Sequence, residues 1–218
     1  MGAKAAKIAL DRANISADEI DLILFATLSP DYYMPGSGVF VQNILNIPTC
    51  PAMDIRNACS GFVFGLATAD QFVKTGMYKN ILVIGSETQS GAIDMTSRGR
   101  DIAVIFGDGA GAAVVTRSES PSVGVLSSHL HSQGEHADEL VMVAPNMNKW
   151  VTEIVSDNDP ADSSYYPYMN GKLVFKNAVY RFQEVINAGL NHNNLKSHEI
   201  NLLIPHPVSY THLRAHET

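Results

Sequence analysis

Cysteine is scarce in this chain of 218 residues, which has only Cys50 and Cys59. Two thiols so close in sequence do not make a disulfide framework, so the protein is expected to fold in a reducing cytoplasm on its hydrophobic core alone. Long apolar runs are absent as well. None reaches the length of a membrane span, and Met1-Gly-Ala-Lys-Ala-Ala-Lys7 lacks the apolar core of a secretory signal. Positive charge is in deficit: 15 Lys and Arg against 22 Asp and Glu leave a net charge of −7, the wrong sign for a nucleic-acid partner. What is there, 45% hydrophobic and 17% charged residues, suffices for a sizeable core and one or two soluble domains.

The stretch Pro51 to Glu87 organises the rest. Its extended start, Pro51-Ala-Met-Asp-Ile55, leads to Asn57-Ala-Cys59-Ser-Gly61 and then to an apolar helical run ending near Lys74. No charge falls between Ser60 and Ala69, and Phe62, Val63, Leu66, Ala67 and Phe72 leave no polar face, which predicts a helix covered on every side. Cys59 therefore stands at a strand-to-helix corner. There the unpaired amides and the macrodipole favour a thiolate, and small neighbours leave room for a thioester. The amide of Cys59 itself could donate to an oxyanion. Packing is the other use of a cysteine, and the local sequence alone does not choose between the two. Cys50 is read as an ordinary buried thiol.

The remaining elements follow the usual periodicities. Gly2–Ala13 reads as an amphipathic helix ended by Asn14, and Ser16 with Glu19 as a capping box. Leu22-Ile-Leu-Phe25 is too short for a helix and suits a strand buried on both faces of a parallel sheet. Ser37–Leu45 and Lys172–Leu190 read as amphipathic helices, the latter with Phe175, Ala178, Val179, Phe182, Val185 and Ile186 on one face. Strands are expected at Ile81–Ile84, Ile102–Phe106, Ala112–Thr116, Ser122–His131 and Leu202–Pro205. Thr88–Asp101 is expected to be a surface excursion, and Ser132–Pro167 a long polar stretch of little periodicity. Gly107-Asp-Gly-Ala-Gly-Ala112 has the wrong spacing for a dinucleotide fingerprint and is read as a tight hairpin turn close to the active-site layer.

Four ordered motifs then carry a resemblance. They are Asn57-Ala-Cys59-Ser-Gly-Phe62, Ala69-Asp-Gln-Phe-Val-Lys-Thr-Gly76, Val83-Ile-Gly-Ser-Glu87 and Phe106-Gly-Asp-Gly-Ala-Gly-Ala-Ala113. Together they resemble 3-oxoacyl-[acyl-carrier-protein] synthase III, collinearly from Met1 to His206. The resemblance implies an α/β thiolase-like layered α-β-α-β-α sandwich of two duplicated halves. It also implies a decarboxylative Claisen condensation of an acyl-CoA with malonyl-acyl carrier protein in a cytoplasmic homodimer. Cys59 matches the acylated nucleophile, and His206 in Ile204-Pro-His206 the histidine that stabilises the enolate oxygen. Arg98 matches the arginine packed on the adenine of coenzyme A, and Met34 a residue that closes the partner's acyl pocket. Arg98, Arg100, Lys172 and Lys176 are candidates for a basic patch that an acidic carrier protein would need. No cofactor is implied beyond the coenzyme A thioester that is itself a substrate. His129, His131 and His136 match a histidine-containing family segment that holds no metal.

Leu28 after Ala26-Thr27 disfavours 3-hydroxy-3-methylglutaryl-CoA synthase, which needs glutamate there. Type III polyketide and long-chain head-to-head condensing enzymes share the resemblance, and a non-catalytic dimeric scaffold homologue is the alternative from another class.

Ile15-Ser-Ala-Asp-Glu19-Ile-Asp-Leu22 and Leu195-Lys-Ser-His-Glu199-Ile-Asn-Leu202 repeat one pattern after an amphipathic helix. The repeat predicts a half at 1–118 lacking its first strand and an incomplete second half at 119–206. The chain is thus expected to be a fragment truncated at both ends and inactive in condensation. Residues 207–218 lack periodicity and back-translate to something resembling a sequencing adapter, so they are read as a scar outside the fold.

Overall fold

A computed structural model describes residues 1–120, 122–144 and 163–206. The expected scar at 207–218 lies outside them, as does the middle of Ser132–Pro167. The chain divides into two units, one of residues 1–89 with 107–128 and one of residues 90–106 with those from His129 onward.

In the first unit the apolar run at Leu22 becomes strand β1 (Leu22–Ala26), buried at all five positions. It pairs in parallel with β2 (Ala52–Ile55) and β3 (Ile81–Glu87), and β4 (Gly109–Val115) adds to β3 in the antiparallel sense. The order is β2-β1-β3-β4. Side chains alternate across a strand, so each apolar run serves two cores. Ile23, Phe25, Leu82 and Ile84 meet Ala6 and Leu10 of α1 (Gly2–Ala13) and Val41 of α2 (Ser37–Ile44) on one face. Leu22, Leu24, Ile81 and Val83 meet Phe62, Leu66, Ala69 and Phe72 of α3 (Gly61–Lys74) on the other.

Close approach of α3 explains two of its glycines. A Cβ at Gly61 would stand 3.0 Å from the Ala26 Cβ, and one at Gly65 3.0 Å from the Val83 Cγ1. Only that face is sealed. Val63 is 53% exposed, so the expectation of a helix covered on every side is corrected: an all-apolar sequence marks what a helix can bury, not what it does. Asp70, which the apolar pattern overlooked, is buried beside Lys74 at 2.7 Å.

Three expected strands are absent. Ile102–Phe106 is not extended; α4 (Arg100–Ala103) covers its start, and the N–H groups of Ile102 and Ala103 donate to Gly99 while those of Ile105 and Phe106 donate to Ile102. Ser122–His131 forms no ladder, and neither does Leu202–Pro205, where Leu202, Leu203 and Ile204 are 74%, 55% and 82% exposed. A strand needs at least one neighbour to satisfy its backbone groups in a ladder, and among the described residues neither segment pairs with one. The glycines of Gly107–Ala112 form no hairpin turn either; Gly109 and Gly111 lie in β4 against Glu87 and Gly85. Thr88–Asp101 is not wholly a surface excursion, since Ile93 and Asp94 are buried.

The second unit holds α4, a two-residue ladder of β5 (Leu140–Val141) with β6 (Tyr168–Met169), and α5 (Gly171–His192). The Asn170 side chain caps α5 by accepting from the Leu173 amide, and the six apolar residues read as one face are all half-buried. The repeated pattern repeats in the backbone. Asn14 and Asn194 both take φ 53°, Ile15 and Leu195 donate to Leu10 and Leu190, and the Glu19 and Glu199 carboxylates accept from the Ser16 and Lys196 amides.

Candidate active site

The chain leaves β2 at Ile55, passes Arg56 and Asn57, and turns through a single 3-10 turn, Ala58–Ser60, before α3. Ala58 has φ 47°. Among the described residues the other non-glycine positions with positive φ are asparagines (14, 46 and 194), whose side chains suit that conformation; an alanine there costs about 1 kcal/mol. The Ser60 hydroxyl and amide both donate to the Asn57 carbonyl, at 2.8 and 3.2 Å, and close the turn. Cys59 is thereby held exposed at the corner, immediately before the first turn of α3.

Cys59 lines a hollow of about 310 Å³ at the carboxyl ends of the parallel strands. Its walls are Ala26 at the end of β1, Gly85, Ser86 and Glu87 at the end of β3, Ala58 and Phe62 beside the thiol, and the run Gly107–Gly111. The glycine-rich motif thus lies at the cysteine, although as strand rather than turn. Ridding β3 and β4 of side chains here opens the space, and a Cβ at Gly85 would press on the Phe62 ring at 3.3 Å. Apolar walls, a small-residue surround and a thiol at a helix start can accept the carbonyl of an acyl thioester.

None of the other expected residues is among those that line the hollow. Met34 is 83% exposed in the loop between β1 and α2 and does not line the hollow, while Tyr32 of the same loop packs on Phe40 with ring centroids 5.1 Å apart. Arg98, Arg100, Lys172, Lys176 and His206 belong to the second unit. Arg98 is well held: its Nε donates to Asp94, and its guanidinium stacks over Tyr166, 5.3 Å from the ring centre. Asp94 also accepts from the Thr96 hydroxyl and amide, and these bonds with that from Arg98 bring its pKa down to about 2. Lys172 is exposed in the first turn of α5, and His206 is exposed outside any helix or strand. His129 packs edge-on to His192, with centroids 5.3 Å apart, and among the described residues no three metal-ligating side chains converge. Cys50 is half-buried rather than buried, and burial, then the nearby Asp21 charge, pushes its pKa up. Glu87, which sequence reading noted only as part of a motif, has both carboxylate oxygens engaged in the wall of the hollow.

The family model for 3-oxoacyl-[acyl-carrier-protein (ACP)] synthase III matches residues 53–134, the span that contains Cys59, Glu87, Arg98 and the glycine-rich run. A beta-ketoacyl-[acyl-carrier-protein] synthase III of Vibrio vulnificus (strain YJ016) is 41% identical over 210 residues. The chain belongs to the 3-oxoacyl-[acyl-carrier-protein] synthase III family. That match covers 96% of this chain and 61% of the relative. A family protein from Salmonella typhi is 40% identical over 94% of the chain and 60% of its own length, so the chain spans about three fifths of such relatives. The fold agrees. The crystal structure of 3-oxoacyl-[acyl-carrier-protein] synthase III from Aquifex aeolicus VF5 superimposes with TM-score 0.84 at 39% identity, over 99% of this chain and 63% of that one. The α/β architecture is therefore the thiolase-like fold of these condensing enzymes. Among the described residues no helix is long and apolar enough to cross a membrane.

Proposed function

We propose that the chain supplies the acyl-cysteine site of a cytoplasmic 3-oxoacyl-[acyl-carrier-protein] synthase III that begins fatty-acid chains. The Cys59 thiolate attacks the carbonyl of an acyl-CoA; a new C–S bond forms, the old one breaks, and coenzyme A leaves as its thiol. Malonyl-acyl carrier protein then loses its carboxylate as carbon dioxide. The carbanion left on its C2 forms a C–C bond to the acyl carbonyl, and the Cys59 thiolate leaves. His206 donates a hydrogen bond to the enolate oxygen that develops on decarboxylation. Arg98 packs on the adenine of coenzyme A, and Lys172 with Lys176, Arg98 and Arg100 meets the acidic carrier protein.

The observation that carries this reading is the strained corner that holds Cys59 exposed at an apolar hollow. A homodimer in which Met34 closes the partner's acyl pocket is part of the same proposal, supported by the exposed Tyr32, Tyr33 and Met34 and by β2 as the outer strand of its sheet. The division into halves at residues 1–118 and 119–206 is proposed likewise, supported by the matched helix, asparagine and turn of the two copies.

The test is a burst of coenzyme A thiol when the chain meets acetyl-CoA. One thiol per chain is expected from the native protein and none from Cys59→Ala. A burst that survives Cys59→Ala overturns the assignment.

A further inference from the structure

The parallel ladder between β1 and β3 ends at the pair Ala26 and Gly85, the point where both strands reach the hollow. Beyond it the two strand ends have no backbone bonds to each other, yet they must keep the width of the hollow between them. Glu87 bridges the gap. Its Oε1 accepts from the Leu28 amide at 2.7 Å, and its Oε2 accepts from the Ser29 hydroxyl at 2.7 Å and from the Gln89 side chain at 3.3 Å. The Ser29 oxygen in turn accepts from the Thr88 amide at 2.7 Å. One side chain thus ties the residues following β1 to the end of β3 and stands in the wall around Cys59.

We infer that Glu87 is a positioning residue that fixes the rim of the Cys59 hollow, and with it the acyl chains the site accepts, by prolonging the β1–β3 ladder through its side chain. The inference rests on the acyl-transfer reading above. Both carboxylate oxygens are committed to donors on the strand ends, so Glu87 acts through geometry and not as a base. An amide can replace it in that role: the carbonyl of glutamine accepts from Leu28, its NH2 donates to Ser29, and the serine oxygen has two lone pairs to serve both donors.

The experiment compares native protein, Glu87→Ala, Glu87→Gln and Ser29→Ala in two measurements. The first is hydrogen exchange of the Leu28 and Thr88 amides. The second is the ratio of Cys59 acylation rates with acetyl-CoA and octanoyl-CoA. Glu87→Ala is expected to speed Leu28 exchange by about tenfold or more and to change the ratio by about threefold or more. Ser29→Ala shifts both in the same direction by less, and it keeps the test open should Glu87→Ala fold poorly. Glu87→Gln stays within about twofold of native in both, a rescue that loss of an acid or base would not permit. An unchanged ratio in Glu87→Ala, or a Glu87→Gln variant that behaves like Glu87→Ala, overturns the inference. If native Cys59 is acylated by neither thioester, the acyl-transfer reading fails by itself, and Leu28 exchange alone decides whether the tie exists.

Discussion

At the scale of single residues the site depends on an alanine in an unfavourable conformation. Ala58 takes φ 47°, where a Cβ crowds the backbone, and the surrounding bonds of Ser60 to Asn57 keep it there. A β-branched side chain at that position adds a second clash. Ala58→Val is expected to lower unfolding stability by about 2 kcal/mol or more, read from urea denaturation, whereas an unstrained position would tolerate it within about 0.5 kcal/mol. The other informative residue is Asp94. Thr96 and then Arg98 hold its pKa at about 2, below the ordinary 3.8, so its contribution is complete above 3.8 and is lost as the pH falls to about 2. Urea midpoints of the native chain and Asp94→Asn should converge over that window. Curves that stay parallel would show that the hold on Arg98 adds nothing to stability. Neither residue's role was legible in advance, because a positive φ and a buried carboxylate leave no mark in composition or period.

Elements were legible wherever local pattern and tertiary neighbours agree. The five apolar residues of β1 could only be a strand buried on both faces, and Asn14 marks where α1 ends. Ile102–Phe106 shows the opposite case. Its β-branched run has the composition of a strand, but local bonds back to Gly99 and Ile102 are satisfied at once, while a ladder would need a partner strand. Connections across long sequence separations were invisible. Asp54 on β2 caps α2 from another element, its two oxygens accepting from the Ser37 and Gly38 amides at 2.5 and 2.9 Å. Gly36 and Gly38 carry no side chains where that carboxylate sits. Asp54→Ala is expected to cost about 1 to 2 kcal/mol and to raise hydrogen exchange in the first turn of α2, the anchor of the loop that bears Met34. Unchanged exchange there would make the cap incidental.

For the whole molecule, four motifs in order identified the family and the fold, because together they map the strand ends, the corner and the glycine-rich walls that one site requires. They could not supply the geometry between those parts, such as the tie from Glu87 to Leu28, which joins residues far apart in the chain. The central claim is that Cys59 takes an acyl group, and the two cysteines make it unusually direct to test, since half-buried Cys50, with its raised pKa, is an internal control. The measurement is intact mass followed by peptide mapping after incubation with acetyl-CoA near neutral pH. The account predicts a single acetyl group, carried on Cys59. A chain that stays unmodified, or one acetylated on Cys50 instead, would contradict it.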